Sequence, residues 1–237
     1  MAATESLPRR LGTAARWPLG IGLTSWRYMW RTTPLHRREL TGSAGADGGP
    51  PLPEGIDRAG VQGPPDGVGP LFHRRYVVRV REPRLRAPEV MRLVQEDPDV
   101  PAPREFATFR KACGEDGRMR AGDEYVVRMA GPWDGPVRVV DVTETSFRLV
   151  TLDGHLEAGQ IEFTAADREG EVEFRIESWA RSGDRLSNLL YTHVRMAKEV
   201  QFHMWTSYLE RIVELAGGRM AGGIHAETRR VDEPDAV

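Results

Sequence analysis

Three ionisable side chains crowd into one short stretch, GHLEAGQIEF, namely His155, Glu157 and Glu162. An imidazole with a carboxylate two residues away is a pairing that acid–base chemistry uses near neutral pH. The competing reading is architectural: Gly154 and His155 build a hairpin turn whose backbone needs positive φ. No other reaction is spelled out. Serine and threonine are plentiful, but there is no Gly-x-Ser-x-Gly elbow and no Gly-rich phosphate loop ahead of a helix. Gly131–Pro136 is a stiff turn instead, with Trp133 at its tip as either a core lid or a cavity gate. His193 and His203 would fall on different faces of one helix, so they cannot share a metal as an i,i+4 pair would. Cys113 is the only thiol, and nothing marks it as activated. No metal, cofactor or catalytic residue is assigned, and the reading leans away from an enzyme.

Bulk properties narrow the classes further. The 237 residues carry 33 basic and 35 acidic groups, a net charge of -2, so composition predicts no nucleic-acid partner. A single cysteine allows no internal disulfide and argues against a stapled secreted scaffold. Arg9-Arg10 resembles the start of an export signal, but Arg16, Pro18 and Arg27 interrupt the apolar run behind it. These features predict a cytoplasmic chain.

Four segments follow from composition. Residues 1–40 form a basic, aromatic extension in which Trp17, Trp26, Arg27, Trp30 and Arg31 have the chemistry of a membrane-interface or partner contact. The alternative is that this segment docks on its own domain along a sheet edge or over an apolar patch. Peripheral membrane or protein contact through residues 9–38 is the corresponding partner expectation. Residues 41–70 are rich in Gly, Pro, Ala and Asp and predict a flexible linker. Residues 71–218 predict the folded domain, and 219–237 a disordered tail.

Inside the domain, Phe72–Arg81 reads as a strand, and Val90, Met91, Leu93 and Val94 follow Pro88 at helical spacing. A second short helix is predicted around Phe106, Phe109 and Ala112, stopped by Gly114 and Gly117. Strands then recur over 125–130, 137–142, 147–152 and 161–164. The last, Glu171–Glu177, sets Val172, Phe174 and Ile176 against Glu171, Glu173, Arg175 and Glu177. Such alternation predicts an antiparallel sheet, wet on one face and dry on the other. The dry face needs a cover. From an N-cap at Asp184, apolar residues recur at helical spacing through Leu186, Leu190, Val194, Met204, Tyr208, Ile212 and Leu215, with no Gly or Pro before Gly217. The predicted class is α+β, a curved antiparallel sheet wrapped around a long C-terminal helix.

AGPWDGPVRVVDV (Ala130–Val142), FRLVTLDGHLEAGQIEF (Phe147–Phe163) and VEFRIESWARSGDRLS (Val172–Ser187) carry a resemblance. In these motifs the chain resembles the domain-of-unknown-function nineteen-ninety family, over 125–210. Gly154-His155 followed by Gly159 and Phe163 is the most specific part. More broadly, the element order resembles the helix-grip fold of START-domain and birch-pollen-allergen-type proteins. That resemblance implies seven strands, of which six can be counted, and an apolar cavity under the last helix. The family usually has acidic residues just after the second glycine, where this chain has Gln160 and Ile161.

The leading functional expectation is a small hydrophobic ligand held in a cleft between sheet and helix. Trp133, His155, Glu157, Glu162, Trp179 and Tyr208 are its candidate contacts. An aromatic at a strand end or on a helical stripe ordinarily packs, and that is the plainer reading of Trp179 and Trp205. The alternatives are a cyclase- or hydrolase-like enzyme built on His155, Glu157 and Glu162, and a non-catalytic interaction module acting through the N-terminal extension.

Overall fold

The computed structural model describes residues 33–103, 107–129, 134–183 and 196–232. Nine strands form one sheet: β1 (Leu35–Thr41), β2 (Val68–Arg81), β3 (Ala107–Cys113), β4 (Glu124–Met129), β5 (Asp134–Val142), β6 (Ser146–Thr151), β7 (Glu157–Arg168), β8 (Glu171–Ser182) and β9 (Arg219–Val231). Their spatial order is β1-β9-β2-β8-β7-β6-β5-β4-β3. Every neighbouring pair is antiparallel except β1 and β9, which run parallel. Among the described residues three α-helices accompany the sheet: α1 (Ala44–Asp47), α2 (Ala87–Glu96) and α3 (Met196–Ala216).

The period of two along β2 and β8 sets the two faces. Tyr76, Val78 and Val80 on β2 and Val172, Phe174 and Ile176 on β8 are buried on one side. On the other, Arg75, Arg79 and Arg81 reach Glu177, Glu173 and Glu171 across the same pair of strands. The exposed members of this ladder contribute a few tenths of a kcal/mol each (~0.2–1), so the apolar face supplies most of the stability. That face is covered by α3. Phe163 meets Trp205 edge-on at 5.6 Å, Tyr208 packs on Phe163 and Phe174, and Tyr76 faces Phe202. Val90, Met91 and Val94 of α2 join the same core.

Several expectations need correcting. The predicted second helix is β3, an edge strand with Phe109 opposite Val127. The segment predicted as a disordered tail contains β9, which lies between β1 and β2 and buries Ile224 completely. Residues 42–67, predicted as linker, form a strap packed along the outer face and end of the sheet. Asp47 is buried in it, and Val61 bridges to Leu152. Residues 35–41 of the N-terminal segment add a strand to the sheet edge. The sheet is mixed rather than antiparallel throughout, and nine strands replace the six counted. The predicted helix start at Asp184, with Leu186, Leu190 and Val194, lies outside the described residues. Over 202–216 the apolar stripe faces the sheet, with Tyr208 and Ile212 almost fully buried.

Candidate functional site

The proposed acid–base cluster does not converge. β7 is paired with β8 without a bulge from Glu157 to Arg168. Residues an odd number of positions apart therefore point to opposite faces. Glu157 lies on the helix side, where Arg74 Nη1 donates to it at 3.2 Å and Gln201 Nε2 at 3.1 Å. Glu162 lies on the outer side beside Arg148, Arg175 and Glu177. Burial raises its pKa, although those arginines oppose the shift. His155 sits in the turn after Gly154, whose φ is +90°. Its Nδ1 accepts from the Glu157 backbone N–H at 2.9 Å, and its Nε2 side lies against Gly135, where a Cβ would come within 2.8 Å. Burial lowers the His155 pKa. A neutral imidazole accepting at one nitrogen and packed against backbone at the other is a brace for the turn.

Trp179 also faces the outer side, away from α3. It stacks on His73, ring centroids 5.3 Å apart, and clusters with Leu71 and Val231. Of the sequence candidates, Tyr208 and Glu157 are on the helix side of the sheet. Trp133, Trp17, Trp26, Arg27, Trp30, Arg31 and His193 lie outside the described residues. Among the described residues no three His, Cys, Asp or Glu side chains are grouped as a metal site. No described helix is long and apolar enough to cross a membrane.

Two constellations stand out. The first is on the helix side. Tyr208 Oη, Trp205 Nε1 and Ser178 Oγ are buried between sheet and α3 with no hydrogen-bond partner among the described residues. Burial drives the Tyr208 pKa far upward, so its hydroxyl is a neutral donor. Ser178 pairs in register with Arg74. Arg74 also lines a cleft of about 280 Å³, with Arg37, Glu39, Phe72, Tyr76, Phe202 and Arg230 among its other walls; Ser178, Trp205 and Tyr208 do not line it. Arg74 packs over the Phe72 ring at 4.8 Å and Arg37 over Phe202 at 5.1 Å. The cleft thus offers aromatic faces and guanidinium groups together. Sequence reasoning missed Arg74, Phe202 and Ser178. Period-two alternation continued from Val78 back to Arg74, and from Ile176 on to Ser178, would have placed two of them on this face.

The second constellation is on the outer side. His73 Nδ1 lies 2.8 Å from Asp47 Oδ1 and its Nε2 2.7 Å from Glu177 Oε1. All three residues are buried. Burial works against the ionised Glu177, but hydrogen bonds from His73 and Arg75 outweigh it and hold the pKa down at about 2. Asp47 is likewise lowered, burial being outweighed by His73, the Ser43 N–H and Arg229.

Residues 104–211 match a family model described as Domain of unknown function (DUF1990). No curated protein matches the chain. Similar solved structures include a hypothetical protein of Helicobacter pylori, at 7% identity over 60% of this chain and 86% of that one, TM-score 0.45. A conserved protein of Geobacillus kaustophilus gives 11%, 62% and 98%, TM-score 0.43. Major latex-like protein 151 of Panax ginseng gives 12%, 61% and 97%, TM-score 0.41.

Proposed function

We propose that this chain, whose residues 104–211 carry a DUF1990 domain, is a non-catalytic binder of a small amphipathic molecule held between the sheet and α3. The carrying observation is the set of buried polar atoms on Ser178, Trp205 and Tyr208 that have no hydrogen-bond partner among the described residues. Buried donors and acceptors are rarely left without partners, since each such group costs about 1–3 kcal/mol. A ligand bearing one or two polar atoms on an apolar body would satisfy them. The cleft beside Phe202 is its way in, and its volume suits a small molecule. Arg37, Arg74 and Arg230 at the mouth are each paired with a carboxylate (Glu39, Glu157 and Asp232), so they offer hydrogen-bond donors rather than bare charge, with the body against Phe72, Tyr76 and Phe202. A sheet gripping its C-terminal helix over this layer also supports the helix-grip reading.

The absence of a converging acid and base favours binding over the enzyme alternative, since Glu157 and Glu162 face opposite sides of the sheet. The test is titration of the full chain with 8-anilinonaphthalene-1-sulfonate, an aromatic anion, alongside native mass spectrometry of the purified protein. Saturable 1:1 binding is expected, weakened about tenfold or more in Arg74→Met and Ser178→Ala chains that keep the wild-type melting temperature. Binding that the two substitutions leave unchanged, in a protein carrying no co-purified molecule, would overturn the reading.

A further inference from the structure

We propose that Asp47, His73 and Glu177 form a proton-operated clasp that pins residues 43–49 to the outer face of the sheet and loosens them as pH rises. The Gly42 N–H to Arg230 O at 2.8 Å and Gln160 Nε2 to Pro50 O at 2.6 Å hold the two ends. The geometry itself sets the protonation state. Both ring nitrogens of His73 face carboxylate oxygens within hydrogen-bond distance. A carboxylate only accepts, so both nitrogens must carry hydrogen, and that requires the imidazolium. A neutral ring has one N–H, and it would turn a lone pair on one of the two carboxylates.

The two sides of the clasp differ in how far they can yield. Glu177 belongs to β8, which is paired along both edges. It also takes Arg75 at 2.8 Å and Arg175 at 3.3 Å. Asp47 belongs to the single turn α1. Besides His73, its bonds are to the Ser43 N–H at 2.8 Å, inside the same segment, and to Arg229 at 3.5 Å. Arg229 is shared with Glu227, and Glu162 stands beside Glu177 in register. Loss of the His73 proton therefore frees the strap side. Burial pulls His73 down, but the hydrogen bonds to Glu177 and Asp47 prevail and raise it above its ordinary value. For a base raised in the folded state, the tie is complete below the ordinary imidazole range and fades as pH climbs through the raised value.

The far end of the strap supplies an internal control. Arg138 holds the carbonyls of Asp57 and Ala59, and the Gln62 N–H donates to Thr151 O at 2.8 Å. These bonds run from a guanidinium and a backbone N–H to carbonyl oxygens, with no imidazole among them.

Hydrogen exchange of the full chain from pH 6 to 9, corrected for intrinsic base catalysis, tests the clasp. Protection of the amides of 43–49 should fall on the order of ten- to a hundredfold, the loss of one charge-assisted bond. Protection at 57–62 should hold. Imidazole nitrogen shifts should show His73 doubly protonated at pH 6, losing its proton where 43–49 opens. In His73→Gln the 43–49 segment should be open at every pH. If 43–49 tracks 57–62 throughout, or His73 is neutral at pH 6, the clasp is wrong. Both of those measurements use the wild-type chain and stand even if the variant fails to fold.

Discussion

Tyr208 carries a hydroxyl into a layer made of Phe163, Phe174 and Trp205, where no described residue bonds to it. Removing that oxygen removes a desolvated dipole and leaves the ring packing alone. Tyr208→Phe should therefore leave stability unchanged or raise it by up to about 1 kcal/mol in urea unfolding. It should also weaken the binding of an amphipathic probe. A destabilisation above about 1 kcal/mol would instead mean that the hydroxyl has a protein partner. Glu177 is the opposite case, a buried carboxylate with three cationic partners. Its pKa of about 2 lies below that of the unfolded chain, so its contribution is present above the ordinary carboxylate range and disappears as pH falls through about 2. Glu177→Gln should cost about 3 kcal/mol at pH 6, because it removes the buried anion that Arg75, Arg175 and His73 share. The gap from wild type should narrow toward pH 2, as chemical denaturation across that range would show. Tyr208 could be read from its place on a helical stripe. His73 and Asp47 could not be paired from sequence, because 26 positions and an irregular strap separate them.

Gly159 shows what one residue does for an element. It lies on β7 opposite Ala180 of β8, and a Cβ added there would come within 2.1 Å of the Trp179 carbonyl oxygen. Backbone cannot give way as a side-chain tip can. Gly159→Ala should therefore cost about 3 kcal/mol or more in urea unfolding. A cost below about 1 kcal/mol would show that β7 and β8 sit further apart. The Gly154, Gly159 and Phe163 spacing is visible in the sequence, but its reasons differ at each position: a positive φ, a close strand approach and a core ring. Strand β8 was legible outright because charge and apolar residues alternate without a break. β3 was misread because Phe106, Phe109 and Ala112 also fit a helical period, while the strand alternation Ala107, Phe109, Lys111 is broken by a charge. β9 was missed because its buried residues are Ala221, Gly223, Ile224, Ala226 and Val231, small for the most part and without an even alternation. Its place comes from pairing with β1 and β2, and a local pattern does not contain that information.

At the scale of the whole molecule, the chain closes on itself. Strand β9 enters between β1 and β2, so the first and last described strands are neighbours and 13 residues near the C-terminus join the edge strand to the rest of the sheet. The family match at 104–211 contains neither β2 nor β9, yet both pack against α3, and the cleft is walled by β1, β2 and β9 with Phe202. A domain cut at Gly218 would therefore lose Ile224 and Ala226 from the core and expose the backbone of β2 along its length. An unpaired inner strand of this length templates aggregation. A chain covering 33–232 should fold with a cooperative thermal transition and a monodisperse profile, since it keeps all nine strands. A chain covering 33–218 should be insoluble, or soluble with an expanded radius and no cooperative transition. If the shorter chain melted cooperatively within a few degrees of the longer one, β9 would be an accessory to the sheet and the cleft would have to be built without it.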